Sequence, residues 1–363
     1  MAEPQFEGHW VPAWEAVVDT FRANFVATDD DPGDLGAALC VMVDGEVVVD
    51  LWGGWSDRQR TRPWTRDTLV NAYSVGKGIS ASIALAALSA GVLELDAPLR
   101  DVWTGLVADT TFRDVLAHRA GLPALRDDAP AGLPLDWHAM CSALAATDPW
   151  WEPGSAHGYH TNTFGYLVGE PLRRAADDVR FGDLVRRWFP LPAGVDEHCG
   201  VPASEHGRCA VVELAAQSSA NAPRPGEQPT GGAGGGADMV FRSYYNPPSL
   251  SGLGILESAD WRSAEVPSTN GHANAGGVAR VYAAVLDPRG PVDPAVLAEA
   301  TTTQSEGHDL VLGKPSRFGL GYQLHEDHRP VGVTERSFGH FGFGGSLGFG
   351  DPVTGMAVGY VLN

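Results

Sequence analysis

The run Ile79-Ser80-Ala81-Ser82-Ile83-Ala84-Leu85-Ala86-Ala87-Leu88 does most to limit what this chain can fold into. It is small or apolar on nearly every side and meets no Gly or Pro until Gly91, which predicts a helix buried in the interior. Before it stands the strand-like Leu69-Val70-Asn71-Ala72-Tyr73, and Ser74-Val75-Gly76-Lys77 falls at the changeover. Residues i and i+3 of a helix share a face, with Cβ atoms roughly 5–6 Å apart, so the Lys77 amine can reach Ser74 Oγ. A lysine on such a helix is a costly buried charge unless it has a task or a partner. The helix N-terminus also aims backbone N–H groups and its positive dipole end at any oxyanion formed on an acyl group held by Ser74. Taken alone, S-x-x-K is a weak signal, because a capping serine beside a solvated lysine spells the same letters.

Three later segments add weight. They are Thr111-Phe112-Arg113-Asp114-Val115-Leu116-Ala117-His118-Arg119-Ala120-Gly121-Leu122-Pro123, then Trp151-Glu152-Pro153-Gly154-Ser155 with Gly158-Tyr159-His160-Thr161, and Gly339-His340-Phe341-Gly342-Phe343-Gly344-Gly345-Ser346. With Tyr73-Ser74-Val75-Gly76-Lys77-Gly78 they stand in an order and spacing that resembles the serine hydrolases of the β-lactamase and penicillin-binding-protein fold, from about residue 15 to the end. The nearest resemblance is to class C β-lactamases and the carboxylesterases that share their architecture, the family VIII type.

That resemblance implies an α/β (α+β) fold: an antiparallel sheet flanked by helices, with an inserted helical lobe and the site in the cleft between. It implies one β-lactamase-like domain, 1–363, with an α/β lobe at about 10–73 plus 272–363 and a helical lobe at about 74–271. By the same analogy Ser74 is the nucleophile, Lys77 activates it and Tyr159 shares in proton transfer. The backbone N–H groups of Ser74 and Phe343 form the oxyanion hole, and His340 and Gly342 line the substrate. Trp151 and Tyr245 are further candidate substrate contacts, and the many Trp and Phe residues suit a small or medium, largely apolar substrate. Lactamases carry Lys-Thr-Gly where this chain has His340-Phe341-Gly342, and an Asn where it has Thr161. Both departures favour carboxylic esters over β-lactams. The alternatives are an acyltransferase passing the acyl group to an amine or alcohol, a β-lactamase or D-alanyl peptidase, and an inactive binding protein. The resemblance also implies a closing helix after the last strand, for which this sequence has no residues.

Ser346 is a rival nucleophile, because Gly344-Gly345-Ser346-Leu347-Gly348 spells G-x-S-x-G. That motif needs a helix after the serine and a histidine downstream, whereas a turn and a strand-like run follow and no histidine does. The cluster His198, Cys199, His206 and Cys209 fits no usual zinc spacing, and neither a metal nor an organic cofactor is expected. The glycine-rich stretch from Pro223 to Asp238 lacks the Gly-Lys-Ser/Thr of a phosphate loop and reads as a surface loop.

Composition limits partners. A net charge of −20 disfavours nucleic acid and anionic membranes. No stretch reaches the roughly 18 apolar residues of a membrane span, and the N-terminus lacks the charged and apolar regions of a signal peptide. With Cys40, Cys141, Cys199 and Cys209 too scattered for a disulfide framework, a cytoplasmic protein acting on a small-molecule ester is expected. Acyl chain, alcohol and oligomeric state stay open.

At the element level, Ala37 to Gly54 reads as a hairpin turning at Asp44-Gly45. Trp14 to Phe25 and Val278 to Leu286 read as helices.

Overall fold

In the computed structural model, residues 5–28, 32–191, 196–213 and 235–363 are described. Among the described residues twelve strands form two sheets. They are β1 (Phe6–Trp10), β2 (Gly36–Val43), β3 (Glu46–Gly54), β4 (Val70–Asn71), β5 (Glu197–His198), β6 (His272–Ala273), β7 (Ser305–His308), β8 (Pro315–Phe318), β9 (Gln323–Leu324), β10 (Phe338–Phe341), β11 (Leu347–Asp351) and β12 (Met356–Leu362). The helices are α1 (Glu15–Ala23), α2 (Val75–Ser89), α3 (Phe112–Leu116), α4 (Trp137–Ala145), α5 (Phe164–Ala175), α6 (Phe181–Trp188), α7 (Gly235–Tyr245), α8 (Ala259–Ser263), α9 (Ala275–Leu286) and α10 (Pro294–Ala300).

The main sheet has nine antiparallel strands in the order β1-β3-β2-β12-β11-β10-β9-β8-β7, so the last strand, β12, sits at its centre beside β2. The β2–β3 hairpin turns where expected. Asp44 and Gly45 both take positive φ, 50° and 83°, the pairing that matches the twist of a two-residue hairpin. Alternation along β2 then sorts its side chains between two layers. Ala37, Leu39 and Val41 pack with Val18 and Phe21 of α1. Ala38, Cys40 and Met42 join the larger core with Val278, Ala279 and Tyr282 of α9.

Helix α2 is buried along nearly its whole length, including Lys77. It packs against β10 and β11 on one side and α5 and α6 on the other, so it joins sheet and helices within the larger core. The expected lobe boundaries at 73/74 and 271/272 fall on the small sheet β4-β6-β5, whose strands come from both sides of those divisions. The main sheet begins at Phe6, before the boundary expected near residue 10.

One expectation needs correcting. The loop foreseen up to Asp238 gives way to α7 at Gly235, and an Asp238–Arg242 ion pair one turn apart supports that helix. Residues 214–234, including Thr230 to Gly234, lie outside the described residues. Among the described residues no helix is long and apolar enough to cross a membrane. The four cysteines are free and buried. Cys199 Sγ lies 3.6 Å from Asn270 Oδ1 and Cys209 Sγ 3.9 Å from the Glu205 carbonyl, so the two thiols face different partners. No cluster of three or more metal-ligating side chains occurs among the described residues.

Candidate active site

The path of the chain into α2 is fixed before the helix begins. β4 pairs with β6, and the Ala72 N–H donates to the Gly271 carbonyl at 2.8 Å. Tyr73 then takes φ +49°, a left-handed conformation that a side chain adopts only under constraint. Its ring supplies that constraint, being buried and meeting Phe343 edge-on at 5.5 Å. The sharp turn leaves Ser74 as the N-cap of α2. Gly76 admits close packing, since a Cβ there would stand 2.3 Å from the Pro267 carbonyl oxygen. This brings Ser268 alongside the first turn of the helix, held to α5 by the bond from Gly165 N–H to Ser268 Oγ at 2.7 Å.

Ser74, Lys77 and Tyr159 meet at one point. Lys77 Nζ lies 2.8 Å from Ser74 Oγ and 3.0 Å from the Ser268 carbonyl. Tyr159 Oη lies 3.1 Å from the same Oγ. Lys77 is fully buried and pairs with no carboxylate among the described residues. Burial therefore pushes its pKa well below the usual lysine value. The Tyr159 ring, 4.9 Å from Nζ, favours the ammonium, but the loss of water outweighs one aromatic face. Burial thus favours the neutral amine, the form that carries a lone pair for the serine. Burial raises the Tyr159 phenol above its ordinary range, with the bond to Ser74 opposing, so its proton stays on the oxygen.

His340 is turned inward. Side chains alternate along β10, and this one faces α2, where it is 1% exposed. Nδ1 lies 2.7 Å from the Phe341 carbonyl and must carry the proton, which leaves the Nε2 lone pair facing Tyr159 Oη at 3.4 Å. Burial holds its pKa well below the ordinary histidine value. The expected substrate contact is therefore a neutral imidazole stacked behind Tyr159.

Gly342 lies against the approach to Ser74, for a Cβ there would come within 2.4 Å of the Ala72 carbonyl oxygen. Phe343, 49% exposed, follows at the end of β10. Among the described residues the N–H groups of Ser74 and Phe343 donate to no protein acceptor.

Trp151 is half-buried behind the Tyr159 segment. Its Nε1 donates to the Arg119 carbonyl at 3.2 Å, and its ring closes on Gly158 and His160. Tyr245 turns toward Phe241, at 5.3 Å. Its neighbour Tyr244 is the one that joins Tyr159, Met239, Val311 and Phe318 in an apolar cluster edged by Trp150, Trp151 and Leu312. Thr161 does not reach Lys77. Its Oγ1 donates to the Tyr159 carbonyl at 3.3 Å. Ser346 is 1% exposed and sits in a strand-turn-strand corner between β10 and β11, with no helix after it. That geometry is not a nucleophile elbow.

Three contributors had no signal of their own in the sequence. Ser268 offers a main-chain carbonyl, which residue identity does not encode. His118, fully buried with φ +58°, packs its ring against Tyr159 and Phe318. Asp309, 150 residues from Tyr159, accepts that residue's N–H.

Fold and cluster together define a serine hydrolase with a β-lactamase-like fold. The chain belongs to the beta-lactamase family, whose description matches residues 21–363. It is 33% identical to Esterase/beta-lactamase LipL of Mycobacterium tuberculosis, over 97% of this chain and 81% of that protein. A solved family VIII carboxylesterase superposes with a TM-score of 0.86 at 32% identity, covering 99% of this chain and 94% of the other. A penicillin-binding protein homologue from Caulobacter crescentus gives 0.85 at 35% identity, with 99% and 94% covered.

Proposed function

We propose that this protein hydrolyses carboxylic esters of small molecules in two steps, through an acyl ester on Ser74. The observation that carries this reading is the buried, unpaired Lys77 amine 2.8 Å from Ser74 Oγ, with Tyr159 Oη 3.1 Å from the same oxygen. A serine hydroxyl is a weak nucleophile until a base within hydrogen-bond reach takes its proton. Lys77 takes it as Oγ attacks the ester carbonyl. The free N–H groups of Ser74 and Phe343 receive the negative oxygen, aided by the N-terminus of α2. As the tetrahedral adduct collapses, Tyr159 gives its proton to the departing alkoxide and regains one from the Lys77 ammonium. Water then enters, loses a proton through the same groups, and releases the carboxylic acid and free Ser74.

Tyr244, Met239, Val311 and Phe318 beside Tyr159 favour an apolar acyl group. A neutral His340 and the turned-away Thr161 give a β-lactam carboxylate and the Lys77 amine less support than lysine and asparagine would. Four free, buried thiols suit a reducing compartment, and the cytoplasm is the proposed location.

The test is intact mass after exposure to a fluorophosphonate, with p-nitrophenol release from p-nitrophenyl butyrate measured in parallel and the adduct mapped to a peptide. One adduct on Ser74 together with ester turnover is the expected result. Labelling at Ser346, or a folded protein with neither adduct nor turnover, would overturn the reading.

A further inference from the structure

We propose that Asp309 is a positioning residue for Tyr159, fixing where its phenol meets Ser74. The inference rests on the acyl-Ser74 reading and extends it to a group that touches neither the serine nor the substrate.

Asp309 lies in the turn between β7 and β8 and has no solvent exposure. Four donors converge on its two oxygens. The Tyr159 N–H is shared between both at 3.0 Å. Val311 N–H and Leu312 N–H donate to Oδ1 at 2.9 and 2.8 Å, and Ser316 Oγ donates to Oδ2 at 2.9 Å. Every contact is from a donor, a set of bonds that an anionic acceptor strengthens. Ser316 Oγ, whose O–H donates to Asp309, accepts from His157 Nε2 at 3.1 Å. The Leu310 N–H donates to the His157 carbonyl at 3.1 Å. One carboxylate thus ties residues 157–159 to the turn at 309–316.

The tie reaches the chemistry through a short lever. It grips the main chain of Tyr159 itself, and the Tyr159 ring is held on the far side by Phe318, stacked at 5.9 Å and 3°. Phe318 ends β8, the strand the turn leads into, and Val311 sits in the same apolar cluster as Tyr159. Asp309 therefore sets both ends of the phenol's position: the backbone from which it springs and the wall on which its ring lies. Misplacement of a reacting group by about 1 Å can lower turnover about 100-fold.

The experiment is a double-mutant cycle on the full chain, with kcat and KM for p-nitrophenyl butyrate and the thermal midpoint measured for each protein. The proteins are wild type, Asp309→Asn, Tyr159→Phe and the combination. Asn keeps the size and one acceptor but loses the charge and adds donors that face other donors. Alone, it is expected to lower kcat about 10- to 100-fold with KM changed less than about threefold. In the Tyr159→Phe background, where no phenol remains to be placed, it should change kcat by less than about twofold. Equal losses in both backgrounds, or an intact kcat with only a lowered thermal midpoint, would overturn the proposal. Should Asp309→Asn fail to fold, Ser316→Ala removes one of the four donors. Its smaller loss of kcat must likewise vanish in the Tyr159→Phe background, or the proposal fails. Wild-type protein without ester turnover would instead defeat the acyl-Ser74 reading.

Discussion

Replacing Lys77 by Met separates activity from stability, with opposite signs. Methionine matches the length of lysine, so the side chain continues to fill the space between α2 and Tyr159. Its loss as a base leaves Ser74 Oγ without the group 2.8 Å away, for which general-base contributions suggest a fall in kcat/KM of about 10²–10⁴-fold or more. Stability responds differently. The Ser268 carbonyl loses its partner at 3.0 Å, a cost of about 1–3 kcal/mol for a buried acceptor. Against this, the apolar chain gains about 1.5–3 kcal/mol from burial, and the desolvation that holds the amine's pKa down disappears. The variant is therefore expected to be as stable as the wild type at neutral pH, or more so.

The pH dependence of that difference gives the sharper test. Lys77 has a folded pKa below its unfolded value of 10.5, so between the two the unfolded chain binds more protons and wild-type stability rises with pH. Methionine has no such slope. Its advantage should be greatest at the acid end of that window and shrink as pH approaches 10.5. Thermal midpoints at pH 6, 8 and 10, read beside p-nitrophenyl butyrate turnover, test both halves. A variant that keeps more than a tenth of wild-type turnover, or one whose advantage widens with rising pH, would refute the buried-amine argument.

Ser74→Ala should lower turnover by more than about 10⁴-fold, while Ser346→Ala keeps most of it because that hydroxyl lies outside the cluster; steady-state kinetics and fluorophosphonate labelling separate the two. Glu197 is buried and its pKa is pushed up to about 8 from 4.5. Its stabilising share is complete below pH 4.5 and lost as pH rises through 8, so Glu197→Gln should match the wild type near pH 5 and exceed its midpoint at pH 9. Equal midpoint differences at both pH values would count against it. Gly78→Ala puts a Cβ 2.0 Å from the oxygen of fully buried Tyr282. The usual helix gain of about 1 kcal/mol should be reversed by overpacking of about 1–3 kcal/mol, seen as a lower urea midpoint and a lower kcat.

Features set by short-range spacing were readable from the sequence. Asp44-Gly45 announces the hairpin because few residue pairs accept two positive φ values. The gap from Ser74 to Lys77 is one helical turn, so their meeting follows once α2 is recognised. The place of Tyr159 came from the resemblance, since no local rule brings residue 159 to residue 74. What stayed hidden depends on which way the chain faces. His340 and Phe341 differ by one step along a strand, and only the packing of β10 on α2 decides that the imidazole goes inside. Tyr244 and Tyr245 are one residue apart on α7, and the helix start at Gly235 decides which joins Tyr159. Asp309 offered no clue at all, because an aspartate in a turn is ordinary until its partner 150 residues away is known.

Among the described residues no carboxylate pairs with Lys77, and this arrangement favours one order of events. In a dry pocket each titratable group is cheapest when neutral, and Lys77, His118 and His340 are all shifted toward their neutral forms by burial. Tyr159 is shifted the other way in pKa and toward the same end, the uncharged phenol. A tyrosinate would need a cation beside it, and the strand position that holds a lysine in the lactamase pattern holds a neutral histidine here. On the proposed mechanism the amine then takes the first proton, and Tyr159, still protonated, supplies one to the leaving oxygen. On the same mechanism charge appears as Lys77 gains its proton and the carbonyl oxygen turns negative, so the two new charges arise together and favour each other.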